Sequence, residues 1–137
     1  MNAPGMHFSD APMWPTDAAP IPGVIDGAQA HLHTAFASRD GTLTAGTWRV
    51  AAGHFFWDYG VDEWIHIVEG AARIRDCAGD AWRDVAAGSS VFFHKGARAE
   101  WIVVQPVLKK WVILDSKVGL ARRAVRWLKK LLKGSQV

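Results

Sequence analysis

From residue 31 to residue 114 apolar side chains fall on alternate positions in short runs, and each run stops at a glycine, an aspartate or both. Alternation at period two is the signature of a half-buried β-strand. The clearest stretch is Gly53 to Gly70, where bulky Phe55, Trp57 and Tyr59 alternate with smaller or polar neighbours, a single carboxylate follows at Glu63, and an apolar run ends at Gly70. Further strands are predicted over 31–37, 43–51, 64–68, 71–75, 82–85, 91–93, 101–104 and 107–114. Arg39-Asp40-Gly41, Asp76 to Asp80, Gly88 and Gly96 serve as the turns. Eight to ten strands at this spacing predict an all-β sandwich or barrel and fit a jelly roll.

The two ends of the chain have a different texture. Residues 1–30 carry prolines at 4, 12, 15, 20 and 22 and show no period. Proline lacks the ladder N–H, so this segment is expected to be an irregular arm lying over the body or a partner subunit, with Trp14 as its anchor. From Leu120 the period shifts to threes and fours, through Ala124, Trp127, Leu128, Leu131 and Leu132, with Arg122, Arg123, Arg126, Lys129, Lys130 and Lys133 on the opposite arc. That pattern predicts a basic amphipathic helix within 117–137. Its apolar stripe is expected to lie on the barrel or across a dimer interface; contact with an anionic membrane surface or an acidic partner is the second reading.

Charge and composition narrow the function classes. The net charge of +3 is unevenly spread: the 21 residues from 117 onward hold seven Lys and Arg and no acid, so the body is acidic. A nucleic-acid binder needs a basic stripe across its folded domain, and none is expected here. One cysteine, Cys77, excludes an intrachain disulfide, and no run of about 18 apolar residues suggests a membrane span. The expectation is a cytoplasmic protein with one domain, the barrel at 31–116, flanked by the arm and the helix.

The motifs at 53–70 and 88–101 resemble those of the cupin superfamily. Glu63 stands six residues before Gly70, and Gly88 with His94-Lys95-Gly96 follows the second cupin motif, with His94 in the place of a proline. The DUF861, or Cupin_3, branch is closer still: Gly46-Thr47-Trp48, Trp57-Asp58-Tyr59, Phe93-His94-Lys95-Gly96, Trp101 and Val107-Leu108-Lys109 match its pattern. This resemblance implies an RmlC-like jelly-roll barrel that commonly dimerises. It extends to manganese-dependent ureidoglycine aminohydrolases and to the cupin domains of ethanolamine utilisation.

Departures from the family pattern decide what to expect of a metal. Trp57 and Tyr59 stand where metal-binding cupins carry paired histidines, and Ala99 stands at the last histidine position, leaving Glu63 alone. A transition metal needs three or four converging ligand atoms, so no metal and no cofactor are expected. Strand phase puts Ile65 and Ile67 on the face of Glu63 and turns His66 away; His54 is likewise out of phase with Trp57 and Tyr59. His31 and His33 share a strand face, but in another strand.

A carboxylate in an aromatic barrel needs a partner. The candidates are Lys109, at the family lysine position, Arg49 beside Trp48, and the Tyr59 hydroxyl. The sharper expectation is a small-molecule pocket walled by Trp57, Tyr59, Trp101 and Trp111, with Arg49 among its ligand-binding residues. There Glu63, Lys109 and Tyr59 recognise a polar metabolite or serve as acid and base. The plainer one is an internal ion pair that stiffens an inert barrel. A metal-dependent enzyme and a non-catalytic module acting through the C-terminal helix are the other classes considered, and a homodimer is the expected assembly.

Overall fold

The structure is a computed structural model, and it describes residues 5–9, 14–115 and Leu128. The helix expected at 117–137 therefore lies outside the described residues, Leu128 excepted. The rest is antiparallel sheet: β1 (Asp17–Ala18), β2 (Gly23–Gly27), β3 (Ala30–Ala37), β4 (Leu43–Val50), β5 (Gly53–Asp58), β6 (Asp62–Asp76), β7 (Trp82–Ala86), β8 (Ser90–Phe93) and β9 (Arg98–Leu114). All nine join in one curled sheet, a half-barrel, with hydrogen-bonded order β1-β3-β4-β9-β5-β2 and with β7, β8 and β9 all paired to β6.

Strands β6 and β9 carry the architecture. β9 pairs through 107–114 with β4 and through 98–103 with β5, while β6 runs along its other edge from Asp62 to Asp76. The sequence pattern suggests two strands in each of these stretches, separated at Gly70 and near Pro106. The structure joins them, because both breaks fall at one bulged corner. The β6 register shifts between Ile67 and Ala72, and Gly70 adopts a φ of 92° against the carbonyl of Pro106. A bulge tolerates both the missing proline N–H and the left-handed glycine, so it bends the sheet without ending it. It also changes phase: the buried positions of β6 are 63, 65 and 67 before the corner and 72 and 74 after it.

Residues 17–27 are more regular than expected. β1 pairs with β3 and β2 with β5, both at sheet edges and both in windows free of proline. Proline bars a segment from the middle of a sheet, not from flanking an edge strand.

The core lies inside the curl. Trp101, Phe55, Ile65, Ile67, Val50 and Val107 are fully enclosed. The Phe55 and Trp101 rings stack with centroids 5.6 Å apart, directly opposite each other on β5 and β9. Burying side chains of this size contributes about 1.5–3 kcal/mol each, and the six fix which face of β4, β5, β6 and β9 looks inward.

Candidate functional site

At one end of the curl the core gives way to a cavity of about 170 Å³. Alternation along four strands builds its wall: Trp48 on β4, Phe55 and Trp57 on β5 with Tyr59 just beyond, Glu63 on β6, and Trp101, Lys109 and Trp111 on β9. Ala19, Leu32 and Ile113 complete it. One glycine makes room for the largest ring. Gly46 lies opposite Trp111, and a Cβ there would collide with the His33 carbonyl and stand 2.8 Å from Trp111 Cζ2.

The polar groups are few and buried. Lys109 Nζ donates to Glu63 Oε2 at 3.1 Å, with side-chain exposures of 8% and 9%. The ammonium lies 4.4 Å from the Trp48 ring centroid and 5.3 Å from that of Trp101. Aromatic faces offset part of the cost of dehydrating the charge. Tyr59 Oη accepts the Trp101 Nε1–H at 3.2 Å, and the Tyr59 ring stacks on Phe93 at 4.0 Å. Burial, reinforced by the Glu63 carboxylate, pushes the Tyr59 phenol well above its ordinary range, so it remains a neutral donor. Trp111 Nε1 is the one buried side-chain polar atom with no hydrogen-bond partner among the described residues.

Six of the seven expected site residues meet at this cavity: Glu63, Lys109, Tyr59, Trp57, Trp101 and Trp111. Arg49 does not. It occupies the position next to Trp48, so it projects from the opposite face of β4, where its guanidinium lies 4.5 Å over the Trp14 ring. A step of one residue along a strand reverses the side chain, and Trp48 itself is the β4 residue in the wall. Trp48 and Phe55 were legible as wall residues from their alternation with Gly46 and Trp57. The histidines fall where strand phase places them: His54 on the outside at 2.7 Å from Glu100, and His66 outside at 2.8 Å from Ser90.

The three residues at the family histidine positions are turned inward. Trp57 and Tyr59 line the cavity, and Ala99, 2% exposed, stands opposite Trp57. They do not fit a transition metal. Glu63 holds an ammonium, the Tyr59 oxygen already takes an N–H, and Trp57 and Ala99 offer no ligand atom. Among the described residues no group of three or more His, Cys, Asp or Glu could hold an ion.

The fold is a curled antiparallel sheet whose cavity lies between Glu63 of β6 and Lys109 of β9. The sequence profile of the EutQ-like cupin domain, Cupin_3, matches residues 37–111, more than half of the chain, and the chain belongs to this family. No curated protein sequence matches it. Among solved structures it is similar to the EutQ protein of Clostridium difficile (16% identity, 65% of this chain and 70% of that one, TM-score 0.55). It is also similar to a DUF861 family protein of unknown function from Pseudomonas syringae (20% identity, 73% of this chain and 43% of that one, TM-score 0.63). A third is a cupin superfamily protein from Desulfitobacterium hafniense (13% identity, 64% and 78%, TM-score 0.54). At these identities the likeness is one of fold. Among the described residues no helix is long and apolar enough to cross a membrane.

Proposed function

We propose that this cupin binds a small polar metabolite in the barrel cavity without a metal, and that the Glu63–Lys109 pair with the Tyr59 hydroxyl takes over the recognition that histidines and a metal perform elsewhere in the superfamily. The observation that carries this reading is polar capacity left unused inside an apolar wall. Trp111 Nε1–H is unpartnered, and Lys109 spends one bond on Glu63 out of three ammonium hydrogens. A pair kept only for rigidity is expected to be surrounded by bonds that use up its remaining donors and acceptors. The volume suits the role, since a cavity of roughly 150 Å³ holds a benzene molecule, and the site offers about 170 Å³.

In this reading recognition is division of labour. The rings of Trp48, Trp57, Trp101 and Trp111 supply flat contact area and exclude water. Lys109, Tyr59 and Glu63 fix orientation, their bonds strengthened by the low local dielectric. Titration of Glu63→Gln against the ligand of the wild-type protein, found by thermal-shift screening of small polar compounds, tests it. Binding weakened at least about tenfold in a variant that still folds supports the proposal; binding intact with a large fall in melting temperature assigns the pair to structure.

A further inference from the structure

The charges and rings of the cavity also restrict what chemical class it accepts, an inference that rests on the binding reading above. Consider first the net charge. Glu63 and Lys109 cancel within a single contact of 3.1 Å, so the enclosure is neutral before anything enters. A carboxylate arriving there would add an uncompensated charge beside Glu63, and an ammonium would add one beside Lys109; both are disfavoured next to a pair whose side chains are 8% and 9% exposed among aromatic rings. A ligand with no net charge is therefore favoured.

Next come the donors and acceptors. On the donor side stand the hydroxyl hydrogen of Tyr59 (whose oxygen already accepts from Trp101) and the ammonium hydrogens of Lys109 that Glu63 does not take, with the Trp111 Nε1–H buried and unpartnered in the wall beside them. Glu63 has one oxygen, Oε2, in its bond to Lys109, and its other oxygen is an acceptor that the protein leaves open. The matching ligand offers an acceptor to several donors and one donor to a carboxylate. Last comes shape. Six aromatic side chains line about 170 Å³, room for a single ring with small substituents.

We infer that the cavity accepts a flat, uncharged heterocycle carrying a ring N–H beside a carbonyl, the edge that pyridones and pyrimidinones present. The carbonyl faces the donor set of Lys109, Tyr59 and Trp111, and the ring N–H faces Glu63.

Calorimetric titration of the full chain with 2-pyridone, toluene and furan-2-carboxylate, three flat rings of similar size, tests the assignment. The expected order puts 2-pyridone at least about tenfold tighter than either of the others. In Trp111→Phe, which keeps a ring and removes the N–H, that preference over toluene shrinks. In Glu63→Gln, which frees the Lys109 charge, furan-2-carboxylate overtakes 2-pyridone. Circular dichroism melting of each variant confirms that it is folded before it is titrated, and either variant suffices for the reversal or the shrinkage. If toluene or furan-2-carboxylate binds the wild-type protein best, the class is wrong while the binding reading stands. If none of the three binds, and the small-compound screen is empty as well, both fall.

Discussion

Strands β6 and β9 each carry an acid or a base on both faces, so the same two strands build two ion pairs that differ in nearly everything else. On the outer face Glu100 accepts two bonds from Arg75, at 3.0 and 2.6 Å, on one oxygen and one from His54, at 2.7 Å, on the other. Arg75 donates again to the Gly79 carbonyl at 3.0 Å and lies over the Trp82 ring. Its guanidinium holds the Glu100 carboxyl below the usual range. On the inner face Glu63 and Lys109 share one contact and are enclosed by rings. The outer network leaves neither carboxylate oxygen idle, with the Glu100 side chain 12% exposed. The inner pair, buried to a similar degree, leaves capacity open. In the proposed reading, satisfaction outside and open capacity inside separate a group that holds a sheet together from one that binds a ligand.

The largest test of this contrast is Lys109→Met, which strands Glu63 as an unpaired buried carboxylate. We expect a loss of about 3–5 kcal/mol in urea unfolding. Next is Gly46→Ala, whose Cβ meets the His33 carbonyl and the Trp111 ring. A cost of about 1–3 kcal/mol, with a shifted tryptophan emission, is the outcome expected of overpacking. Tyr59→Phe removes the acceptor of the Trp101 N–H at a cost of about 1 kcal/mol at neutral pH. Because the folded phenol titrates above its unfolded value, the Tyr59 contribution is fully present below pH about 10 and is lost as pH rises beyond it. This variant loses the Tyr59 share of that alkaline slope in pH-dependent unfolding. The smallest neutral-pH effect belongs to Glu100→Gln on the outer face. Here the folded pKa is depressed, so the contribution is present above the ordinary carboxylate range and is lost as pH falls through the folded value. The variant should show a flatter acid limb than wild type.

Much of the fold was legible because strand alternation and glycine stops are local signals. The inward phase of Phe55, Trp57, Tyr59 and Glu63 and the outward phase of His54 and His66 followed from period two alone. Gly70 and Pro106 misled because a sequence shows a break but not the bulged corner that bridges it. Arg49 misled because choosing a partner for Glu63 by charge overlooked the face of β4 on which it stands. The unpartnered Trp111 N–H had no signature in the chain at all, since an absent partner is a fact of three dimensions.

The most direct test of the central claim is calorimetric melting of the full chain and of the double variant Glu63→Leu with Lys109→Met, each with and without saturating 2-pyridone. A pair retained for binding is dispensable for stability, because an apolar replacement of similar volume avoids the desolvation cost. The account predicts that the double variant melts at or above the wild-type temperature and that 2-pyridone raises the melting temperature of the wild type alone. A double variant that melts far below the wild type, with no response to 2-pyridone in either protein, would contradict it.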